Sequence, residues 1–390
     1  MDIKKDNYID IKKDIKKDNY ISLFLLHALG DTIGYNNTLW EFNLIDDDNM
    51  NYDIINILQS TIEIISDFVN KGGISSIDLK GWNVSDDTLF NYDIARFVLD
   101  VSFDDSNKID EKSIILLKKY MKSTLKKQVK LDIERAFGKM TLNAIFAWTD
   151  KLDERHKPYN KNAGGNGCSM RTLSIGLRFF KDEDLDKLIE CSIISSKITH
   201  NSPIGFLGGL SSAFFVKLAV NKIKISQWPF LLIELFESKK IKKYIDMDND
   251  DIYDDYRNTI RIWKKYVEMF FNESKEPLNL KTSINLIVRI KTMMELNESL
   301  GIVGNYMVGI NGPMSVIMAY NGLLDCNGNW EKLMYYTMLH GGDSDTVGAI
   351  AGGLYGIVYG YGNLPMRLLD NLEMKNELEQ IGEKFYDFYL

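Results

Sequence analysis

Two short segments, far apart in the sequence, carry the residue types that could perform chemistry. Residues 85–88 read Ser-Asp-Asp-Thr, and residues 341–346 read Gly-Gly-Asp-Ser-Asp-Thr. Each segment brings two carboxylates and a hydroxyl into about one helical turn. Adjacent carboxylates repel each other, so a fold that buries them needs a cation to compensate their charge. Hard oxygen donors of this kind favour Mg²⁺, Mn²⁺ or Ca²⁺ over zinc.

The alternative for each segment is a solvated helix N-cap, because Ser and Asp are favoured at that position. Taken together, with Gly-Gly before the second segment and Ala- and Gly-rich sequence after it, the two segments favour a metal site. Both adjoin apolar, helix-like sequence, so helices must position them.

The rest of the chain predicts an all-α fold. Only six prolines occur, and several long segments repeat apolar residues at helical spacing. Residues 114–121, 259–271 and 280–296 show this spacing, whereas alternating patterns suited to strands are scarce. One further apolar face is formed by Ile54, Ile55, Leu58, Ile62, Ile65 and Phe68. We expect one compact domain of many helices, with the functional motifs on the connecting loops.

Composition excludes several classes of protein. With 390 residues, 45% hydrophobic and 26% charged, the chain can bury a substantial core without cross-links. Three cysteines without a C-x-x-C spacing form no disulfide framework and suit a reducing compartment. A net charge of −8 argues against sequence-independent nucleic-acid binding, which needs a basic face.

The sequence gives no evident signal for secretion or membrane insertion. The apolar stretch 347–359 contains four glycines and is shorter than a bilayer span, so it predicts a tightly packed buried helix. Residues 1–21 contain a near-duplication of mixed charged and polar sequence, which predicts a low-complexity leader before a single domain at 22–390. We expect a soluble, monomeric, intracellular protein in the cytoplasm.

Four segments carry clustered polar residues, and three of them also contain glycine. Besides the two acidic segments, residues 30–35 read Gly-Asp-Thr-Ile-Gly-Tyr and residues 164–171 read Gly-Gly-Asn-Gly-Cys-Ser-Met-Arg. With these motifs in this order, from about residue 22 to the C-terminus, the chain resembles the ADP-ribosylglycohydrolase family, which includes the dinitrogenase reductase-activating glycohydrolase. Residues 34–42 and 199–205 are most similar to the arginine-type enzymes of that family.

The resemblance implies an all-α orthogonal bundle with a binuclear Mg²⁺ centre at the base of a cleft, with Mn²⁺ as a possible substitute. Hydroxyl and carboxylate oxygens suit the octahedral, partly hydrated coordination of Mg²⁺. In known two-metal sites the ions lie about 3.5–4 Å apart. The implied ligands come from the two acidic segments: Ser85, Asp86, Asp87, Asp343, Asp345 and Thr346.

The chemistry that the resemblance implies is hydrolysis of the N-glycosidic bond between ADP-ribose and a modified protein side chain, with ADP-ribose as product. The metals would orient ribose hydroxyls and lower the pKa of a water molecule, and a carboxylate would transfer protons. Candidates for that carboxylate are Asp87, Asp343 and Glu41. Asp31 would either orient a ligand of the site or cap the next helix.

Candidates for substrate binding lie in the glycine-rich loop and near it. Gly165, Asn166 and Gly167 would let the backbone approach a diphosphate, although a plain turn is the simpler interpretation of this segment alone. His200 matches a family position associated with the ADP-ribose cleft. Tyr35 would stack on adenine or guard the entrance, with core packing as the alternative.

Two further points concern specificity and support. Arg171 is expected to form a structural ion pair. Arginine-type relatives usually carry a His-Asp pair in the segment aligned with residues 312–315, where this chain reads Gly-Pro-Met-Ser. That difference concerns the adenosine end or the leaving group rather than the metal centre.

The leading hypothesis is a Mg²⁺-dependent hydrolase that releases ADP-ribose from modified arginine. One alternative is the same chemistry on ADP-ribosylserine or another ADP-ribose conjugate, and another is a non-catalytic ADP-ribose-binding protein. The two intact acidic segments favour catalysis, because binding alone does not need a compensated acidic cluster.

Overall fold

A computed structural model describes residues 16–42, 54–148, 158–278, 285–299 and 308–388. Within these ranges the chain is helical and contains no β-strand, which confirms the all-α prediction.

The described part of the chain contains seventeen α-helices. In chain order they are α1 (Lys17–Tyr35), α2 (Ile54–Asn70), α3 (Gly73–Ser76), α4 (Asp86–Asp100), α5 (Glu111–Leu131), α6 (Lys139–Ala147), α7 (Leu173–Arg178), α8 (Leu185–Lys197), α9 (Pro203–Val220), α10 (Trp228–Glu237), α11 (Lys239–Lys242), α12 (Asp250–Phe270), α13 (Leu286–Glu298), α14 (Gly312–Cys326), α15 (Trp330–Thr337), α16 (Ser344–Tyr359) and α17 (Lys375–Asp387).

The leader expected at residues 1–21 lies mostly outside the described residues. Helix α1 begins at Lys17 and includes the last residues of that segment, with Tyr20 buried. The near-duplicated sequence therefore reaches into the first core helix.

The crossing of α1 and α16 depends on glycine. A Cβ atom at Gly30 would lie 2.1 Å from the Gly348 carbonyl oxygen, and one at Gly34 would lie 2.2 Å from that of Ser344. Glycine therefore lets the two backbones touch. The Ser344 hydroxyl donates to the Gly34 carbonyl at 2.9 Å, which fixes the start of α16 against the end of α1. The stretch 347–359 lies within this helix and is largely buried, as its sequence predicted.

Helix α9 is long and apolar enough to cross a bilayer, yet every residue in it is buried inside the fold. It packs against α7, α8 and α14. A helix that is apolar all round is expected at the centre of a large helical domain.

Helix α2 exists where the sequence predicted it, but its buried face differs. Ile55 and Ile62, which we assigned to the apolar face, are 69% and 57% exposed. The polar Thr61 is fully buried instead, and its hydroxyl accepts a hydrogen bond from the Gly341 backbone N–H at 2.9 Å. The buried face of α2 consists of Ile57, Ser60, Thr61, Ile64 and Phe68, so of the residues that we assigned to the apolar face only Phe68 is fully buried.

Replacing Gly34 by alanine tests the contact between α1 and α16. The added Cβ atom would lie 2.2 Å from the Ser344 carbonyl oxygen, so the helices must separate. We expect a loss of about 1–3 kcal/mol in the free energy of unfolding, measured by chemical denaturation. Gly138→Ala is the matched control, because a Cβ atom there meets no atom within 4 Å. An equal loss in both variants would contradict the prediction.

Asp93 of α4 should make stability depend on pH. Its carboxyl is buried, and burial raises its pKa from the ordinary value of 3.8 to about 7. The folded state therefore keeps a proton that the unfolded chain releases, and stability falls as the pH rises from about 4 to 7. At about 1.4 kcal/mol per pH unit between the two pKa values, the effect reaches about 4 kcal/mol at most.

Asp93→Asn removes this proton linkage. The wild-type protein loses stability as the pH rises, whereas the variant does not lose this contribution. The difference in melting temperature, variant minus wild type, should therefore increase from acidic to mildly alkaline pH. Thermal unfolding of both proteins across that range measures the difference, and a difference that stays constant with pH would refute the assignment.

Candidate metal centre

The two acidic segments meet at one cavity of about 230 Å³. Asp86 and Asp87 line it from the first turn of α4, and Asp343, Asp345 and Thr346 line it from the start of α16. All four carboxylates are buried, with at most 5% of their surface exposed. The alternative of solvated helix caps is therefore wrong for these aspartates.

Glu41 joins this cluster from a third segment. Glu41, Asp343 and Asp345 each offer a carboxylate oxygen, and the three atoms lie within 4.8 Å of one another. Oδ2 of Asp87 is buried and has no hydrogen-bond partner in the part of the chain that the structure describes. An all-oxygen donor set with an uncompensated buried carboxylate oxygen fits a hard divalent cation.

The protonation equilibria of the cluster reflect its burial. Removal from water raises the pKa of Asp86, Asp87 and Asp345 well above the ordinary value, and neighbouring negative charges raise it further. Burial and then repulsion from Asp343 do the same for Glu41. A divalent cation would reverse these shifts, because it stabilises the ionised carboxylates.

Asp31 of α1 holds the start of α4. Its carboxylate accepts hydrogen bonds from the backbone N–H groups of Ser85 and Thr88, at 3.0 and 3.1 Å, and from the Thr88 hydroxyl. Ser85 is fully buried and caps α4, since its hydroxyl oxygen accepts from the Asp87 N–H at 3.1 Å. Of the two roles considered for Asp31, orientation of the site fits, whereas capping of the next helix does not.

The segment that carries Glu41 is held at both sides. The Trp40 indole N–H donates to Oδ2 of Asp67 at 2.8 Å, and the Phe42 N–H donates to the Gly342 carbonyl at 3.2 Å. Before it, residues 36–38 all have positive φ, which reverses the chain after α1. Because Trp40 and Phe42 are both held by other segments, Glu41 between them lies against the second acidic segment.

Asn166 of the glycine-rich loop lines the cavity, but its N–H groups bond within the protein. The side-chain amide donates to Oδ2 of Asp343 at 2.8 Å and to the Gly309 carbonyl at 3.0 Å. Its backbone N–H donates to the Ile310 carbonyl at 3.0 Å. Asn166 therefore orients Asp343, and any contact with a diphosphate would have to come from other atoms of the residue.

Gly165 and Gly167 also line the cavity. Their backbone N–H groups donate to no backbone carbonyl among the described residues. The loop runs on to Thr172, and α7 begins at Leu173, so no long helix follows it directly.

His200 lies in the cavity wall against the glycine-rich loop. A Cβ atom at residue 167 would lie 2.8 Å from Cε1 of His200, so glycine is required there. The imidazole Nδ1 is 2.8 Å from the Thr199 hydroxyl. Burial, followed by the positive charge of Arg171, lowers the pKa of His200 to about 3, so the ring is neutral at neutral pH.

Tyr35 and Arg171 lie behind the cavity rather than in its wall. Tyr35 is fully buried at the end of α1, which is the core packing that we considered as its alternative. Arg171 is also fully buried, and its Nη2 donates to the Ser195 carbonyl and the Thr199 hydroxyl. The ion pair expected for Arg171 is not found within the described ranges.

One wall of the cavity was missed by sequence reasoning. It is formed by the link between α5 and α6 and the first turn of α6, through Ala136, Gly138, Lys139, Met140 and Thr141. No acidic, histidine or repeated-glycine pattern marks this segment. The segment has one unusual backbone feature: Ala136 has a φ of 52°, which is a strained value for a residue with a Cβ atom.

The sequence profile of the ADP-ribosylglycohydrolase family matches residues 12–389 of this chain. The chain belongs to the ADP-ribosylglycohydrolase family. It is 33% identical to a mimivirus protein (Acanthamoeba polyphaga mimivirus) provisionally named ADP-ribosyl glycohydrolase L444, over 95% of this chain and 70% of that one. It is 30% identical to ADP-ribosylhydrolase ARH1 of Dictyostelium discoideum, over 92% and 91% of the two chains.

A solved structure described as an ADP-ribosylglycohydrolase-related protein complex has the same fold. The TM-score is 0.56 at 17% identity, over 96% of this chain and 99% of the other. Membership of the ADP-ribosylglycohydrolase family, together with these relatives, supports an enzyme that hydrolyses ADP-ribose conjugates.

Metal addition and removal should change the stability of this ADP-ribosylglycohydrolase. We expect Mg²⁺ to raise the melting temperature and EDTA to abolish the rise, because an ion that binds only the folded state stabilises it by about 2.7 kcal/mol at 100 times its Kd. Asp86→Asn and Asp345→Asn should lose most of the rise. Asp93→Asn, a buried aspartate of α4 outside the cavity, should keep it. A wild-type protein that ignores millimolar Mg²⁺ and Mn²⁺ would count against the site.

Proposed function

We propose that this ADP-ribosylglycohydrolase releases ADP-ribose from modified arginine side chains and that two Mg²⁺ ions, or Mn²⁺, take part. The observation that carries the proposal is the convergence of four buried aspartates and Glu41 on one cavity. So many buried carboxylates in one site need cations to compensate their charge, and hard divalent ions suit oxygen ligands.

The residues that would hold the ions are Ser85, Asp86, Asp87, Asp343, Asp345 and Thr346. Such ions, when bound, supply positive charge that orients the ribose hydroxyls and makes a water molecule more acidic. The Ser85 hydroxyl oxygen already accepts a hydrogen bond as the cap of α4, so only its remaining lone pair would be available to an ion.

We assign the proton transfers of the reaction to carboxylates that line the cavity. Hydrolysis breaks the bond between ribose C1″ and a guanidine nitrogen, and that nitrogen keeps the bonding electrons and takes up a proton. Glu41 is the candidate for donating this proton, because its carboxyl lines the same cavity and is not one of the residues proposed to hold the ions. Asp87 and Asp343 are the candidates for the base that accepts a proton from the attacking water.

The glycine-rich loop suits the diphosphate of the substrate. The N–H groups of Gly165 and Gly167 are not used by backbone carbonyls of the described chain and could donate to phosphate oxygens. His200 would contact the ligand as a neutral hydrogen-bonding group rather than as a cation, since its pKa is lowered to about 3. The role proposed for Tyr35 would be indirect, through packing behind the site.

Arginine as the modified residue is supported by one observation. Residues 34–42 and 199–205 resemble the arginine-type enzymes of the family.

The test is release of ADP-ribose from peptides modified on arginine or on serine, each with Mg²⁺ or with EDTA. We expect release from the arginine peptide with Mg²⁺ and not with EDTA. Asp343→Asn should lower kcat at least about 100-fold, because a proton-transfer or ion-binding group is lost. Asp93→Asn is the control and should keep the wild-type rate.

Two outcomes would change the conclusion. Release from the serine peptide alone would replace arginine by serine as the target. Tight binding of ADP-ribose without release from either peptide would contradict the enzyme and favour the ADP-ribose-binding alternative.

A further inference from the structure

An ion pair between a buried arginine and a partly exposed glutamate links the C-terminal part of the chain to the first acidic segment. Arg135, in the link between α5 and α6, has a side chain that is 1% exposed. Its guanidinium donates to both carboxylate oxygens of Glu373, from Nη1 to Oε2 at 2.7 Å and from Nη2 to Oε1 at 2.8 Å. This two-bond geometry is the strongest and most directional form of an Arg–carboxylate pair.

The same pair binds both backbone groups of Val84, the residue before Ser85. Nη1 of Arg135 donates to the Val84 carbonyl at 2.6 Å, and the Val84 N–H donates to Oε2 of Glu373 at 2.9 Å. The Asp86 N–H donates to the backbone carbonyl of Arg135 at 2.9 Å. Three hydrogen bonds therefore fix the main chain on either side of Ser85.

Arg135 also directly precedes residues 136–141, which form the wall of the cavity that the sequence did not predict. Ala136 follows it directly with a φ of 52°, and the Gly138 N–H donates to Oδ2 of Asp86 at 3.3 Å. Held in this way, the link between α5 and α6 touches both the backbone and the carboxylate of Asp86. Residues that orient the ligands of a metal are known to affect its affinity by about 10–100-fold.

Glu373 is ionised in this arrangement. Burial alone would raise the pKa of Glu373, but the hydrogen bonds from Arg135 and Val84 lower it overall. Removal of either partner would leave a buried charge or a broken backbone contact at residue 84.

We propose that Arg135 and Glu373 are positioning residues of the metal centre, because their ion pair fixes the backbone of residues 84–86 and so the direction of the Asp86 and Asp87 carboxylates. The inference rests on the proposed metal-dependent function. Neither side chain lines the cavity, so their effect would pass through the backbone of residues 84–86 and through the link between α5 and α6 that follows Arg135.

The test measures Mn²⁺ affinity by calorimetry and by electron paramagnetic resonance of free Mn²⁺, without substrate. Glu373→Gln keeps the shape of the side chain and removes its charge, whereas Arg135→Lys keeps a charge and removes the paired geometry. We expect Mn²⁺ binding to weaken about 10–100-fold in each variant. Excess Mn²⁺ should then restore turnover in Glu373→Gln, but not in Asp343→Asn.

A second buried pair provides the matched control. Arg289 donates to Asp325 in a pair that is 2% and 14% exposed, and neither residue lines the cavity. Asp325→Asn should lower the melting temperature without changing the affinity for Mn²⁺. A merely structural role for Glu373 would give the same pattern as Asp325→Asn.

The outcomes separate the two proposals. Wild-type Mn²⁺ binding with unchanged affinity in Glu373→Gln would overturn the positioning role and leave the metal centre intact. Failure of the wild-type protein to bind any Mn²⁺ would overturn the metal centre and this role together. If Arg135→Lys does not fold, Glu373→Gln decides the question, because its side chain is 31% exposed and its substitution is the milder change.

Discussion

The constraint on which the rest of this structure depends is the repulsion among carboxylates that share one buried cavity. Burial and like charges together oppose ionisation, so the cluster is stable in its charged form only if positive charge enters it. Both acidic pairs stand in the first turns of helices, α4 and α16, where the helix dipole favours negative charge. That contribution is small beside the repulsion of five neighbouring carboxylates, so the helix dipoles alone do not compensate the negative charge of the ionised cluster.

Side chains from other segments of the chain hold the carboxylates in place. Asp31 holds the N-terminus of α4, Asn166 holds Asp343, and the pair Arg135–Glu373 holds the backbone before Ser85. Each support comes from a different part of the chain. The glycine contacts between α1 and α16 set the distance between these two helices. Helix α1 carries Asp31, and the first turn of α16 carries Asp345. The crossing of α1 and α16 therefore affects both the packing of the core and the positions of the carboxylates.

Part of the fold and of the site could be predicted from the sequence. Helical spacing gave the all-α class, and the two acidic segments were recognised from residue type alone. The inward face of α2 was predicted only in part, because Phe68 is buried as expected, whereas Ile62 is exposed and Thr61, which is bonded to Gly341, is buried. A hydrophobic pattern records what can be buried, but the neighbouring element determines what is buried.

The sequence by itself determined which ligands this protein can offer: oxygen donors at 85–88 and 341–346, and backbone N–H groups in the glycine-rich loop at 164–171. Only the tertiary structure decided that Glu41 joins these donors, that Tyr35 lies behind them, and that the unmarked segment 136–141 closes one wall. The reason is physical. The chemistry of a side chain is local, whereas its neighbours depend on how distant helices pack.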